Sequence, residues 1–110
     1  MEKDNIQNLI NIGRQIVREK GTDALTVRKL SEASGYSVGA IYNQFSNMDN
    51  YIAVQNLITL QALTEIIAAE PETEDAFDDL NSILQKFVDF VCADKNLWYL
   101  LFSFHLTHAK

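Results

Sequence analysis

The chain has 110 residues, 47% of them hydrophobic and 22% charged, with a net charge of −6, a balance that fits one small globular domain able to form a core without metal or disulfide support. Cys92 is the only cysteine, which excludes an intrachain disulfide, and its neighbours Phe90, Val91 and Ala93 suggest a small reduced core residue. The opening MEKDNIQN lacks the basic segment and apolar run of an export signal, and the apolar stretch Leu97 to Leu106, interrupted by Ser103 and His105, is shorter than the roughly 20 residues that cross a bilayer, so the expectation is a cytoplasmic chain with no membrane partner.

Ile6, Leu9, Ile10, Gly13, Ile16 and Val17 recur at spacings of three and four, which predicts a first amphipathic helix opened by Asp4 or Asn5 and stopped at Gly21. After a short loop from Thr22 to Leu25, the Thr26 hydroxyl is placed to cap a second helix with an inner face of Val27, Leu30 and Ala33, ending at Gly35. Ser37 then caps a third short helix from Val38 to about Gln44. Two short helices joined through a glycine turn make a helix-turn-helix.

A long helix is predicted from Met48 to about Ala69, with Ile52, Leu57, Ile58, Leu60, Leu63, Ile66 and Ile67 as a wide apolar face, and Pro71 ends the run. Thr73 is a plausible cap for a fifth helix whose Phe77, Leu80, Leu84, Phe87, Val88 and Val91 follow the spacing of one buried stripe. Asp94 opens a sixth, Lys95 to about Thr107. No strand signal, repeat or low-complexity tract interrupts this all-α pattern, which divides into a three-helix head over residues 1–47 and, over 48–110, a long linking helix with two further helices.

Charge is unevenly spread. Residues 1–60 hold six basic groups (Lys3, Arg14, Arg18, Lys20, Arg28, Lys29) and six acidic ones, whereas residues 61–110 hold three basic and nine acidic groups. Phosphate would be repelled by the second half, so a nucleic-acid contact belongs to the first. A recognition helix entering a major groove needs small residues at its N-terminal end, which Gly39 and Ala40 supply, and the free N–H groups at the starts of the second and third helices are natural phosphate seats beside Thr26, Arg28, Lys29 and Ser37. Val38, Asn43 and Gln44 stand on the same short helix, and the two amides can pair with adenine edges where they face the groove. Thr26 and Ser37 serve equally as helix caps, Gly35 and Gly39 equally as relief of crowding, and Tyr42 equally as a half-buried edge of the core.

The segment EKGTDALTVRKLSEASGYSVGAIYNQF, Glu19 to Phe45, resembles the DNA-binding domain of the TetR family of bacterial transcriptional regulators. It keeps the order of Gly21, Leu25, Thr26, Val27, Leu30, Gly35, Ser37, Gly39, Ile41, Tyr42 and Phe45, and the likeness covers roughly residues 6–60. It implies a homeodomain-like head, double-stranded DNA as partner, a homodimer, repression by occupying an operator, and a Tyr42 hydroxyl that meets a phosphate. Two departures accompany it. No lysine or arginine occurs between Lys29 and Lys86, so Met48 stands where family members usually carry a lysine, and Val38, Asn43 and Gln44 stand where basic or histidine residues are frequent. The further helices that close a ligand pocket and form the dimer in longer family members are also missing.

The apolar run Leu97, Trp98, Leu100, Leu101, Phe102, Phe104 and Leu106 is too apolar all round for one buried face. Trp98, Tyr99, Leu101, Phe102 and His105 are therefore candidates for a dimer surface or for the wall of an inducer pocket, against the alternative that the run packs entirely onto the fourth and fifth helices. His105 and His108 lie three apart with no further ligand in register, so no metal site is expected. No cofactor motif or catalytic constellation can be placed, so the chain is not expected to be an enzyme. The competing reading is a shortened interaction protein that pairs with a full-length regulator and has little DNA affinity of its own.

Overall fold

The computed structural model describes residues 2–108, and the side chains of residues 2–103. Their order is α1 (Lys3–Lys20), a 3₁₀ turn (Thr22–Ala24), α2 (Val27–Ser34), α3 (Val38–Phe45), α4 (Met48–Ala68), α5 (Ala76–Ala93) and α6 (Lys95–His108), with no strand among the described residues. The all-α expectation therefore holds for them, element by element. Local chemistry accounts for the boundaries. Gly21 ends α1 at φ 88° and Gly35 ends α2 in the left-handed region at φ 81°, conformations that cost a residue without Cβ little. Two starts differ from expectation. Glu2 precedes α1 without a side-chain cap, in place of Asp4 or Asn5. Asp75, not Thr73, caps α5 by accepting from the N–H groups of Phe77 and Asp78, while Thr73 is held by the Asp79 carboxylate at 2.6 Å.

The core gathers Leu9, Ile10 and Val17 of α1, Leu25, Leu30 of α2, Ile41 and Phe45 of α3, and Tyr51 of α4, joined by Leu97 and Leu100 of α6. Residues 1–47 and 48–110 thus share one apolar cluster. At the far end of α1, the Arg18 guanidinium meets Asp94 at 2.9 Å and the Asn96 amide donates to the Arg18 carbonyl at 3.2 Å. The Asp94 carbonyl accepts from the Trp98 N–H in the first turn of α6, and its carboxylate is taken by Arg18.

Between α1 and α4 the contact is polar and close. Tyr51 donates its hydroxyl to the Leu9 carbonyl at 2.8 Å, and Gln55 donates to the Ile10 carbonyl at 2.7 Å and to the Tyr51 oxygen at 3.1 Å. Gly13 makes room for both: a Cβ there would fall inside van der Waals contact with the Tyr51 hydroxyl and the Gln55 amide. The Arg14 guanidinium closes the cluster on the Gln55 carbonyl, the Gln55 side-chain oxygen and the Thr59 hydroxyl, at 3.1 to 3.2 Å. Burial first, and then Arg18, lowers the Arg14 pKa from its ordinary value. Asn56, next along α4, is buried with both side-chain polar atoms unpartnered.

Three expectations are corrected. The α5 stripe is not buried: no residue of α5 is fully enclosed, and Phe77 is 81% exposed while Leu80, Leu84 and Val88 remain half exposed. Periodicity marks an apolar face without supplying a partner for it. Cys92 is exposed for the same reason, on a helix whose partly buried apolar residues are Ile83, Phe87, Phe90 and Val91. On α4, Leu57 and Leu60 face outward, and the buried positions are Tyr51, Gln55, Asn56 and Thr59. By length and composition alone α4 is long and apolar enough to cross a membrane.

The polar contact yields two expected outcomes. Gly13→Ala should destabilise the fold by about 1–3 kcal/mol, the usual cost of forcing an added methyl into a filled site, read as a lower midpoint in urea melts. Burial pushes the Tyr51 pKa up to about 12 from 10.0. Its neutral form is the one that folds, so its contribution is intact below pH 10 and is lost as pH rises through 12, by roughly 2–3 kcal/mol. Denaturant melts from pH 9 to 12 should show that decline in the native chain and a shallower one in Tyr51→Phe.

Candidate nucleic-acid interface

The turn between α2 and α3 is fixed by short-range hydrogen bonds. Left-handed Gly35 turns the chain out of α2, the Ser31 hydroxyl donates to the Tyr36 carbonyl at 2.6 Å, and the Tyr36 N–H donates to the Ser34 hydroxyl at 3.1 Å. Ser37 then accepts from the Ala40 N–H at 3.1 Å, and Thr26 accepts from the Lys29 N–H at the same distance. Both hydroxyls therefore cap helices, as the sequence implies, and both remain on the exposed surface. Ile41 and Phe45 point inward and hold α3 on the core, and the Phe45 ring meets Tyr51 edge-on at 5.0 Å.

Outward, α3 presents Val38, Gly39, Tyr42, Asn43 and Gln44, all exposed, with Ala40 partly exposed between them. Gly39 is not demanded by packing. A Cβ at that position would find only the Ser37 hydroxyl, 3.9 Å away, so the backbone at the start of α3 is open to an approaching surface. Tyr42 is 37% exposed and Val38 39%, which puts the tyrosine at the rim of the core with its ring edge available. The candidate residues Thr26, Arg28, Lys29, Ser37, Val38, Gly39, Ala40, Tyr42, Asn43 and Gln44 all lie along α2, the turn and α3, and all but Ala40 are exposed.

Charge at this surface is thinner than counting suggests. Arg14 is turned into the α1–α4 contact and Arg18 into the pair with Asp94, so two of the six basic groups in residues 1–60 are committed elsewhere. Arg28 reaches solvent but lies 3.5 Å from Glu32, one turn along α2, an exposed pair of little strength. Lys29 and Lys20 flank a shallow cleft with Ile16, Glu32 and Ala33. Two structural features escaped the sequence reading. Asn47 caps α4 by accepting from the Asn50 N–H at 2.8 Å, and Ser46 before it adopts φ 75°. A serine–asparagine pair between two helical patterns is the signal that could have located them.

The C-terminal candidates are divided. Tyr99 and Phe102 are 60% and 56% exposed, Leu101 is buried in the core region, and Trp98 is half-buried against Phe87, ring centroids 5.4 Å apart at 87°. The side chain of His105 lies outside the described residues. Since α6 packs mainly on α1 and α4, it does not rest on the fourth and fifth helices alone. No group of three or more histidine, cysteine or carboxylate side chains able to hold a metal occurs among the described residues.

Residues 9–50 match the family model of bacterial regulatory proteins, tetR family. They are a TetR-family helix-turn-helix domain. The match runs from the middle of α1 to the first turn of α4, so it includes Gly13, both caps and every candidate contact on α2 and α3 of this TetR-type head. Along most of its length the chain is also similar to the Transposon Tn10 TetC protein of Escherichia coli, at 27% identity over 86% of this chain and 49% of that protein. The chain therefore spans about half the length of this relative. No solved structure matches it significantly.

Two substitutions should separate the packing of the TetR-type head from its outer surface. Ser37→Ala removes a cap and should cost about 1 kcal/mol of stability. Gly39→Ala enters open space on a helix and should raise stability by up to about 1 kcal/mol, since alanine has less backbone freedom to lose on folding. Urea melts of the two variants beside the native chain check both values.

Proposed function

We propose that this chain is a bacterial transcriptional regulator, acting in the cytoplasm as a repressor that occupies operator DNA as a dimer. The observation that carries this reading is the start of α3. A serine-capped helix of eight residues presents an exposed glycine with nothing but a hydroxyl within 4 Å of its absent side chain, the property a backbone needs to approach base edges. In this reading Val38, Gly39 and Ala40 lie against the groove, Asn43 and Gln44 read adenine edges, and Thr26, Arg28, Lys29, Ser37 and Tyr42 meet phosphates. The head is residues 1–47, and residues 48–110 set the spacing of two heads about 34 Å apart, one turn of DNA. Any small-molecule inducer belongs to that second unit.

The scarcity of free cations favours a second reading, in which the chain has little DNA affinity and pairs with a longer regulator. Fluorescence anisotropy with labelled duplex at low salt separates the two. The regulator reading expects binding with a shallow salt dependence, a slope near −2 per head for the two cations left on α2. Arg28→Ala and Tyr42→Phe should weaken all sequences alike, whereas Ala40 and Asn43 substitutions should change preference among sequences, each by about 1–3 kcal/mol at the affected base pair. Gly39→Ala, which leaves the fold intact, should also weaken binding. No binding at low salt sinks the regulator reading and leaves the pairing one.

A further inference from the structure

We propose that Lys20, at the end of α1, is a further contact with the DNA backbone, joining Lys29 of α2 on a phosphate beside those reached from Thr26 and Arg28; this rests on the regulator reading. Lys20 and Lys29 line one cleft of about 250 Å³ between α1 and α2, with Ile16, Glu32 and Ala33 as its other walls. Both lysines are exposed, and neither forms an ion pair among the described residues. Lys29 stands in the first turn of α2, where its own N–H is held by the Thr26 hydroxyl at 3.1 Å. The cleft thus opens beside the helix start assigned to phosphate, and α1 supplies its opposite rim.

The composition of the cleft suits the edge of a polyanion more than an enclosed ligand. Ile16 and Ala33 give an apolar floor along which lysine stems can lie while the ammonium groups stay in solvent. Glu32 lies 3.5 Å from Arg28, one turn back on α2, so Lys20, Lys29 and Arg28 together face a single carboxylate. In a chain of net charge −6 this is a local reversal of sign, the condition under which an approaching duplex releases counterions. Lys20 also stands in the last turn of α1, where the carbonyl end of the helix favours a cation with or without DNA. That second role acts on folding stability, whereas a phosphate contact acts on the salt dependence of binding, so measurement separates them.

Fluorescence anisotropy of the full chain with a labelled duplex, across about 0.05–0.2 M salt, tests this. At about −0.9 per phosphate, Arg28 and Lys29 give a slope near −2 per head, and Lys20 brings it near −3. Lys20→Gln should return it to about −2 and weaken all sequences alike, with a deficit against the native chain that shrinks roughly threefold over that range. Lys20→Arg should keep the native slope. Lys3→Gln, an equal change of net charge at the other end of this 18-residue helix and so about 25 Å away, should not alter it. Acetylation of the native chain with and without duplex, read by mass spectrometry, should show the Lys20 amine protected and the Lys3 amine not; if Lys20→Gln lowers the melting temperature, that protection decides. An unchanged slope in Lys20→Gln, an equal fall in Lys3→Gln, a fall that Lys20→Arg shares, or a Lys20 amine acetylated as fast with duplex as without overturns this contact and leaves the regulator reading in place. A native chain that binds no duplex at low salt overturns both.

Discussion

The close polar contact between α1 and α4 at Gly13 determines where the rest of the head can sit. Tyr51 and Gln55 each donate to a carbonyl of α1, Leu9 and Ile10, oxygens that have a second lone pair beyond the one engaged in their own helix. An apolar contact would let the two helices slide. Hydrogen bonds to two successive carbonyls specify one register, and the missing side chain of Gly13 is what lets the donors reach them. Only Ser46 and Asn47 separate α3 from α4, and Phe45 rests edge-on against Tyr51. The orientation of α4 on α1 is therefore transmitted to α3 through a two-residue link and one aromatic contact.

This arrangement places polar groups where apolar ones would be less demanding. Arg14 is partly buried and donates to carbonyl, amide and hydroxyl oxygens, and Asn56 is enclosed without a partner among the described residues for either of its polar atoms, a loss of about 1–3 kcal/mol. The offset is apolar and comes from an unexpected direction: Leu97 and Leu100 of α6 enter the same cluster as Leu9 and Val17. The Arg18–Asp94 pair adjoins this junction but is half exposed, so it orients α6 more than it stabilises it. The head is accordingly completed by a helix some fifty residues further along the chain.

What was legible in the sequence was the chemistry that acts over three or four residues. Thr26, Ser37, Gly21 and Gly35 cap and stop helices through their own backbone neighbourhood, and the structure has them in those roles. The outward placement of Gly39 and Tyr42 follows from the same local periodicity, because Ile41 and Phe45 must face in. Misreadings arise where a residue's role depends on another segment. The α5 stripe and Cys92 were assigned to a core because spacing alone does not reveal whether a partner helix exists. Arg14 and Arg18 look like any other basic residues of the first half because nothing local signals Gln55, Thr59 or Asp94, which lie more than forty residues away. Leu101 and Tyr99, two apart on α6, look alike as apolar letters, yet one is buried and the other 60% exposed.

The diversion of Arg14 and Arg18 has a consequence for how a head of this kind would work. Phosphate neutralisation contributes equally at every sequence, whereas hydrogen bonds and close contact at base edges differ from site to site. In the proposed docking, an interface short of cations but with a small-faced α3 carrying Asn43 and Gln44 would lower the sequence-independent part of the affinity and leave the sequence-dependent part in place. The ratio between an operator and the surrounding DNA is preserved even as both affinities fall. A single head so built would hold any site weakly, so joining two heads matters more here than in a strongly basic domain, because the second then binds at a high effective concentration. The acidic charge of residues 61–110 would act in the same sense, since it disfavours approach of a duplex to that half of the chain.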